Sequence, residues 1–303
     1  MDPRTETAIA GLIAEHALPD SYARTAREVL APLALRIEHL RGKLARPVIV
    51  GVCGSQGSGK STMAAFVQGL LELQGRTVAV LSLDDLYLTR EARAALAESR
   101  HPLFATRGVP GTHDVALGER VLDALTSGAV GPVALPRFDK SVDTRAPPET
   151  WPRVQAPVDV VLFEGWCVGA RPEEAAALDA PVNALERDED ASGAWRREVD
   201  ARLGAEYQRL FGRLDALVLI QAPGFEQVLA WRTLQEHKLR ARLGPDGGDR
   251  VMSDAQIARF IQHYERLTRH ILAEMPARAD AVLALDAEHA VRAVRYRVGG
   301  ALT

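Results

Sequence analysis

The segment Gly54-Ser-Gln-Gly-Ser-Gly-Lys-Ser-Thr62 organises the rest of the chain, because it matches the pattern G-x-x-x-x-G-K-[ST]. The residues before it, 47–53, form an apolar run typical of a buried strand. After it, apolar residues at 63, 66, 67, 70 and 71 recur at helical spacing. Strand, glycine-rich loop and helix in this order favour a phosphate-binding loop over a glycine-rich turn that binds nothing.

Each residue type in this loop suits phosphate binding. The glycines let the backbone curl so that successive N–H groups point into one cavity, and the next helix adds the positive end of its dipole. We expect Lys60 to reach the β- and γ-phosphates of a nucleotide and the Ser61 hydroxyl to ligate Mg²⁺. The residues predicted to bind the nucleotide are Gly54, Ser55, Gln56, Gly57, Ser58, Gly59, Lys60, Ser61 and Thr62.

Composition excludes several classes of protein. The chain has 303 residues, and a hydrophobic fraction of 47% is sufficient for a sizeable core. A net charge of −3 argues against a general nucleic-acid or membrane-surface binder. Cys53 and Cys167 are far apart, which predicts neither a disulfide framework nor a zinc site. Without a signal-like leader or a long apolar run, we expect a cytoplasmic protein without a membrane partner.

Strands alternate with helices along the chain, which predicts an α/β fold: a parallel sheet with helices on both faces. Besides the strand before the loop, strands are expected at 77–83, 158–163, 216–220 and 281–285. We expect residues 1–45 to form an N-terminal helical extension that packs on the nucleotide domain or serves as a partner-binding arm.

Three further segments have weaker patterns. Residues 132–152 are predicted to be a loop rich in groups that could hold an anion. Residues 170–195 are acidic and irregular, which suggests a surface insertion. A short terminal helix is expected after the last strand.

Acidic side chains follow two of the predicted strands. Asp84 and Asp85 end one strand and Glu164 ends another. In parallel sheets, ligands bind beyond the carboxyl ends of the strands, so these residues should lie near the phosphate loop. Their mutual repulsion would be offset by Lys60 and a bound Mg²⁺, which predicts a metal–nucleotide site with Ser61, Asp84 and Glu164 as metal ligands.

The carboxylate pair separates this chain from other phosphate-loop proteins. Neither the guanine-reading N-K-x-D nor the L-S-G-G-Q of transport ATPases is present in the sequence. A small-molecule kinase needs a base that orients or deprotonates the acceptor hydroxyl facing the γ-phosphate. Asp84, directly at the strand end, is the first choice for this base, while one member of the pair could instead cap a helix.

The order of the motifs resembles the phosphoribulokinase, uridine kinase and pantothenate kinase superfamily, and in finer detail the plant-type D-glycerate 3-kinases with their fungal and bacterial relatives. The resemblance covers about residues 47–286. It departs at Leu86, where the family usually has Phe, and in the shorter segment around 142–148. The residues that carry it are Asp84-Asp-Leu-Tyr-Leu-Thr89, Arg107-Gly108 with Gly111-Thr-His-Asp114, Pro136-Arg137 with Lys140-Ser141, Thr150-Trp-Pro152, Phe163-Glu-Gly-Trp166 with Gly169, Trp231-Arg232 with Gln235, and Met252-Ser-Asp254.

The resemblance implies an ATP-dependent kinase that uses Mg²⁺ and phosphorylates a hydroxyl of D-glycerate. It makes residues 46–303 a phosphate-loop kinase domain with a lid region at about 225–252. Arg232 resembles a lid arginine that stabilises the transferred phosphoryl group, the alternative being a solvated basic helix face. The residues implied in catalysis are Lys60, Asp84, Asp85 and Arg232.

A small carboxylate such as glycerate requires cations in its pocket. Four basic residues lie in the loops between the carboxylate-bearing strands, and polar residues accompany them. Asp114 is as well placed to cap a helix as to bind substrate. The residues expected at the acceptor are Asp84, Tyr87, Arg107, His113, Asp114, Arg137, Lys140, Arg145 and Glu164.

Two alternatives stay open at this point. One is a kinase of the same fold acting on a nucleoside, pantothenate or a sugar phosphate. The other is a nucleotide-dependent switch or assembly factor that uses the N-terminal helices as its partner arm. The pair Asp84-Asp85 and the clustered cations favour an enzyme with a small-molecule substrate and no nucleic-acid partner. The oligomeric state stays open.

Overall fold

A computed structural model describes residues 3–243 and 252–303 of the chain. Six strands form one central sheet, and four shorter strands form two small antiparallel pairs. The strands are β1 (Val48–Gly54), β2 (Val78–Ser82), β3 (Gly131–Ala134), β4 (Phe138–Asp139), β5 (Thr144–Arg145), β6 (Arg153–Ala156), β7 (Val160–Gly165), β8 (Ala216–Gln221), β9 (Ala281–Leu285) and β10 (Val291–Tyr296).

The helices connect these strands and cover the sheet. They are α1 (Pro3–Glu15), α2 (Tyr22–Thr25), α3 (Ala31–Leu44), α4 (Lys60–Glu72), α5 (Arg90–Ser99), α6 (Val115–Thr126), α7 (Ala184–Glu189), α8 (Ala194–Arg202), α9 (Gln208–Phe211), α10 (Phe225–Leu243) and α11 (Asp254–Glu274). Single π-helical turns, Ala26–Leu30 and Leu203–Tyr207, join α2 to α3 and α8 to α9. Short 3₁₀ turns occur at Leu83–Leu86, Pro102–Ala105, Pro148–Thr150, Ala175–Leu178 and Met275–Ala277.

The central sheet has the strand order β10-β9-β8-β1-β7-β2. Strand β1 lies in the middle, parallel to β7 and β8, and each of its seven residues is buried. The register aligns Cys53 with Gly165, so the loop after β1 and the end of β7 meet at one edge. Ser82 of β2 is likewise aligned with Glu164. The predicted convergence of strand ends is therefore confirmed.

Neighbouring residues of β7 contact helices on opposite faces of the sheet. The ring centroid of Phe163 lies 6.4 Å from that of Phe211 in α9. The next residue, Glu164, accepts a hydrogen bond from Ser61 in α4. Because successive strand residues point to opposite faces, helices cover both sides of the sheet. The predicted α/β fold is confirmed.

The predicted short terminal helix is wrong. Strand β10 occupies this position and pairs antiparallel with β9. The intervening turn returns the chain because the side chain of Asp286 accepts a hydrogen bond from Ala290 N at 2.8 Å, and His289 adopts a φ of 66°. The β-branched and aromatic residues Val291, Val294 and Tyr296 then suit an edge strand.

The N-terminal helices pack on the helix that follows the phosphate loop. The ring of Tyr22 lies 5.0 Å from that of Phe66, and Leu12 lies so close to Gly69 that a Cβ there would be 3.0 Å from a Leu12 methyl carbon. Burial raises the pKa of Tyr22 to about 12. Arg36 donates a hydrogen bond to the carbonyl of Leu302 at 2.7 Å, which links α3 to the C-terminal residues.

Residues 170–195, predicted as an irregular surface insertion, are exposed over most of their length, but a few buried residues attach them to the domain. Leu185, Glu186 and Asp190 are buried. Arg266 of α11 donates to both carboxylate oxygens of Glu186, at 2.8 and 2.7 Å, and Arg196 pairs with Asp190 at 3.0 Å. Burial of these acidic groups is possible because each has a charged partner, which the local sequence does not reveal.

Residues 132–152, predicted as loop, contain β3, β4 and β5. Strand β3 pairs with β6 and β4 pairs with β5. These strands are two to four residues long, too short to give an alternating pattern in the sequence. The pair β4–β5, here called the 138–145 hairpin, packs beside the 3₁₀ turn that carries Asp84 and Asp85.

The structure leaves the predicted lid region and the predicted cytoplasmic location partly untested. Residues 244–251 of the lid region lie outside the described residues. Within the described ranges, no helix has the length and apolarity needed to cross a bilayer. The cytoplasmic location stays a prediction.

Candidate functional site

The loop between β1 and α4 has the geometry of a phosphate cradle. Gly57 and Gly59 have φ values of 78° and 85°, in the left-handed region that favours glycine. Helix α4 begins at Lys60, so its free N–H groups face the loop. The hydroxyl oxygens of Ser55 and Ser58 are buried, and neither has a hydrogen-bond partner among the described residues. Loop and helix terminus together form an anion-binding site.

A cavity of about 300 Å³ opens beside this loop. The ring of Trp231 in α10 stacks on that of His289, with centroids 4.2 Å apart. Trp231 Nε1 donates to the carbonyl of Ala287 at 2.8 Å, and His289 Nε2 lies 2.8 Å from the carbonyl oxygen of Gly57. The cavity wall is therefore hydrogen-bonded to the loop itself. Its other lining residues are Gly59, Lys60, Ser61, Thr62, Leu234, Gln235 and Lys238.

Ser61 and Glu164 form the point where a cation fits. Ser61 Oγ donates to Glu164 Oε1 at 2.9 Å, while Glu164 Oε2 is buried without a partner in the described ranges. A buried carboxylate oxygen without a partner is costly, and Mg²⁺ takes such oxygens together with hydroxyl and phosphate oxygens. Residues 3–243 and 252–303 contain no cluster of three His, Cys, Asp or Glu side chains around a possible metal position. Ser61 and Glu164 could therefore provide two oxygen ligands to a cation that also binds nucleotide phosphates.

Asp84 is held as a carboxylate between a lysine and a tyrosine. Lys140 Nζ donates to Oδ2 at 2.7 Å, and the Tyr87 hydroxyl donates to Oδ1 at 2.8 Å. Burial alone would raise the pKa of Asp84, but the positive charges of Lys140 and Lys60 outweigh it and hold that pKa well below its usual range. Asp84 is therefore ionised at neutral pH and within electrostatic reach of the phosphate loop.

Asp85 faces the 138–145 hairpin instead. Its Oδ1 accepts a hydrogen bond from Phe138 N at 2.9 Å, and its Oδ2 pairs with Arg137 at 3.2 Å. Burial raises the pKa of Asp85 despite these partners. In this structure Asp85 fastens the start of the hairpin, a role that differs from the catalytic one predicted from the sequence.

The four basic residues predicted at the acceptor, namely Arg107, Arg137, Lys140 and Arg145, lie in or beside this hairpin, and each pairs with a carboxylate. Arg107 pairs with Asp143, which also pairs with the buried Arg93. Arg145 pairs with Asp114 at 3.3 Å and donates to the carbonyl of Tyr87 at 3.0 Å.

Asp114 combines both roles that the sequence left open. Its Oδ1 caps α6 by accepting a hydrogen bond from Leu117 N at 2.9 Å, and its Oδ2 pairs with Arg145. Asp114 therefore caps the start of α6 and also positions Arg145.

His113 is buried near Asp84. Its ring stacks on that of Tyr87 with centroids 4.7 Å apart, and its Nδ1 lies 2.6 Å from the hydroxyl of Tyr207. Burial lowers the pKa of His113 to about 3, with Asp84 acting in the opposite direction. The ring is therefore neutral at physiological pH.

Arg232 points along its own helix. Its Nη1 lies 2.5 Å from Oε2 of Glu236, which is itself buried. The guanidinium carbon is 6.0 Å from the ring centroid of Phe260 in α11. Contact between Arg232 and a phosphoryl group would require the arginine to leave Glu236.

Sequence reasoning missed four residues at the site. Asp143 and Arg93 anchor the hairpin, Tyr207 contacts His113, and His289 contacts the phosphate loop. Arg93 belongs to an amphipathic helix, and no local pattern distinguishes it from a solvated arginine. Each of these contacts joins residues at least 50 positions apart, so no local signal could have found them.

Comparison with known proteins shows the family to which the chain belongs. No family model matches the chain. Over 227 residues the chain is 35% identical to an uncharacterized kinase of Schizosaccharomyces pombe, covering 72% of this chain and 79% of that protein. Over 254 residues it is 31% identical to the chloroplastic D-glycerate 3-kinase of Arabidopsis thaliana, covering 79% of this chain and 52% of that enzyme. The chain belongs to the phosphate-loop kinase family that includes these proteins.

A solved structure is similar to this chain in fold as well as in sequence. The D-glycerate 3-kinase from Cryptococcus neoformans superposes with a TM-score of 0.73 at 25% identity, covering 90% of this chain and 99% of that one. The predicted resemblance is therefore confirmed, and the protein is a kinase.

Proposed function

We propose that this kinase transfers the γ-phosphoryl group of ATP to a hydroxyl of D-glycerate. The observation that carries the proposal is the position of Asp84, an ionised carboxylate at a strand end, between Lys140 and the phosphate loop. Two relatives named as D-glycerate 3-kinases support the choice of acceptor.

The donor half of the site consists of the loop 54–62 and the adjoining cavity. The phosphates lie against the loop N–H groups and the N-terminus of α4, and Lys60 contacts the β- and γ-phosphates. The purine base enters the cavity beside Trp231 and His289, whose stacked rings offer an aromatic surface. Lys238, exposed at the cavity rim, faces the nucleotide from α10.

Ser61, Glu164 and Asp84 are the residues that would hold Mg²⁺. A bound Mg²⁺ would supply positive charge that offsets the charge of the phosphates. Glu164 would offer the buried oxygen that has no partner among the described residues, and Ser61 would offer its hydroxyl oxygen, which now donates to Glu164.

The acceptor half lies between Asp84 and the 138–145 hairpin. Asp84 orients the acceptor hydroxyl and receives its proton as the phosphoryl group transfers. The low pKa of Asp84 makes it a weak base, which suits a loose phosphoryl-transfer transition state in which the proton moves late. Lys140, 58% exposed, can exchange Asp84 for the transferring phosphoryl group. Arg107 and Arg145 supply positive charge for the carboxylate of glycerate.

The test is ADP release with Mg-ATP and a panel of acceptors: D-glycerate, L-glycerate, uridine, pantothenate and a sugar phosphate. We expect D-glycerate to stimulate release strongly, and Lys60→Ala to abolish it. Lys43→Ala is the matched control and should retain activity, because Lys43 is an exposed lysine in the last turn of α3, before β1, and does not line the cavity. Stimulation by another acceptor but not by D-glycerate would overturn the proposal.

A further inference from the structure

The backbone around His113 holds this residue rigidly against the strand end that carries Asp84. Asp114 N donates to the carbonyl of Leu86 at 2.7 Å, and Leu88 N donates to the carbonyl of Thr112 at 2.9 Å. These two bonds flank the stacked rings of Tyr87 and His113. Since Tyr87 also binds Asp84, the imidazole cannot move without disturbing the proposed base.

The Nδ1 edge of the His113 imidazole contacts the hydroxyl of Tyr207, a residue with no exposed surface. This oxygen accepts a hydrogen bond from Gly111 N at 2.9 Å and lies 2.6 Å from His113 Nδ1. Tyr207 ends the π-helical turn Leu203–Tyr207, a type of distortion found frequently at functional sites. The contact joins two chain segments 94 residues apart.

The protons of this contact can be placed by counting donors. A phenol hydroxyl has one proton and accepts hydrogen bonds through its oxygen. If His113 Nδ1 carried a proton, Tyr207 would accept two N–H bonds, and its own proton would have no acceptor among the described residues. A buried donor without a partner is strongly disfavoured. Tyr207 therefore donates to Nδ1, and the proton of the neutral imidazole lies on Nε2.

The resulting Nε2–H has no hydrogen-bond partner within the described ranges, although the atom is buried. His113 itself is 4% exposed. This N–H is a donor fixed in direction, on a ring stacked against the tyrosine that binds Asp84. A ligand oxygen at this place would satisfy it.

We propose that Tyr207 is a positioning residue that holds His113 in the Nε2–H tautomer, so that this N–H donates to an oxygen of the acceptor molecule beside Asp84. The inference rests on the proposed function for the place of the acceptor. It requires an acceptor that presents a carboxylate or hydroxyl oxygen to His113. The residue that sets this preference, Tyr207, lies outside every loop that surrounds Asp84.

The first experiment needs no acceptor. ¹⁵N-histidine labelling and NMR report which ring nitrogen of His113 is protonated, and the resonance is identified by its loss in His113→Gln. We expect the Nε2–H tautomer in the wild type and a mixture of tautomers in Tyr207→Phe. Tyr22→Phe, which removes a tyrosine hydroxyl at the N-terminal helices, should leave the resonance unchanged. A wild-type Nδ1–H tautomer, or no change in Tyr207→Phe, overturns the proposal.

The second experiment measures steady-state kinetics. Loss of one oriented hydrogen bond should raise the KM for the acceptor about three- to tenfold in Tyr207→Phe, with the KM for ATP unchanged. His113→Gln keeps an N–H donor near the Nε2 position and should retain more acceptor affinity than His113→Asn, whose amide lies near Nδ1. An equal loss in both overturns the proposal, even if Tyr207→Phe fails to fold.

The two hypotheses fail in different ways. If the proposed function is wrong, the wild type releases no ADP in response to D-glycerate, while the tautomer of His113 is still measured. If only the positioning role is wrong, the wild type is active and Tyr207→Phe has wild-type kinetics and a wild-type tautomer.

Discussion

The substitution Gly57→Ala tests whether the loop conformation and the cavity wall act together in nucleotide binding. Gly57 has a φ of 78°, where an L-residue is strained by about 1–2 kcal/mol. A Cβ at this position would lie 2.8 Å from Cβ of Trp231, closer than such atoms approach, so the tryptophan must also shift. Forced overpacking of this kind costs about 1–3 kcal/mol.

Movement of Trp231 has consequences at the nucleotide site. The indole is fixed by its hydrogen bond to Ala287 and by its stack on His289, which in turn contacts the Gly57 carbonyl. If the free protein relieves the strain by opening the loop, ATP must restore it on binding. A cost of about 2 kcal/mol corresponds to an affinity about thirtyfold weaker.

The assay is calorimetric titration of each variant with Mg-ATP in the absence of acceptor. Gly59→Ala is the matched control in the loop, because Gly59 has a φ of 85° and a Cβ there would meet nothing within 4 Å. It shares the backbone strain without the collision, so its loss of affinity should be smaller. Gly75→Ala, with a φ of 76° and equally open space, lies beyond α4 and should lower stability while leaving ATP affinity unchanged. Wild-type affinity in Gly57→Ala would refute the reasoning, and equal losses in Gly57→Ala and Gly59→Ala would refute the role of Trp231.

Three further predictions concern stability, metal and charge. Burial lowers the pKa of His263 to about 4, so below pH 6.5 the unfolded chain binds a proton that the folded chain does not. The free energy of unfolding should therefore fall by up to about 1.4 kcal/mol per pH unit between pH 6.5 and 4. In His263→Gln, the free energy of unfolding measured by urea titration should fall less steeply with decreasing pH. Glu164→Gln should raise the Mg²⁺ concentration for half-maximal turnover about tenfold or more, and an unchanged Mg²⁺ requirement would remove Glu164 from the metal site. Lys140→Met should lower kcat about 10²- to 10³-fold, because it removes charge stabilisation at the phosphoryl group. The free energy of unfolding of the same variant, measured by thermal unfolding, should change by less than about 1 kcal/mol, since the side chain of Lys140 is 58% exposed.

The sequence predicts those parts of the molecule whose signals are local. The phosphate loop has a fixed spacing, and Asp84 and Glu164 directly follow apolar runs, so their convergence follows from the parallel register of β1, β2 and β7. The possible role of Asp114 as a helix cap is likewise local, because an aspartate before a regular apolar stripe is a strong N-cap signal, and the helix Val115–Thr126 does begin after it.

Other features depend on pairings between distant segments. The acidic composition of residues 170–195 predicts a solvated segment, but Glu186 is buried because Arg266, 80 residues later in the chain, pairs with it. Likewise, Arg107 is a plausible substrate ligand by charge, but only the fold brings Asp143 to it. The tautomer of His113 depends on Tyr207, and no spacing rule relates them. Charge and periodicity therefore predict which residues gather at the site, whereas their partners follow only from the tertiary structure.

The central claim is that Asp84 directs phosphoryl transfer from ATP to D-glycerate. The most direct test follows phosphoglycerate and ADP together by ³¹P NMR, in wild type and Asp84→Asn, with Mg-ATP and D-glycerate. We predict equal amounts of both products in the wild type, and in Asp84→Asn a rate about 10²- to 10⁴-fold lower with Mg-ATP binding retained. ADP without phosphoglycerate in the wild type, or an undiminished rate in Asp84→Asn, would contradict the claim.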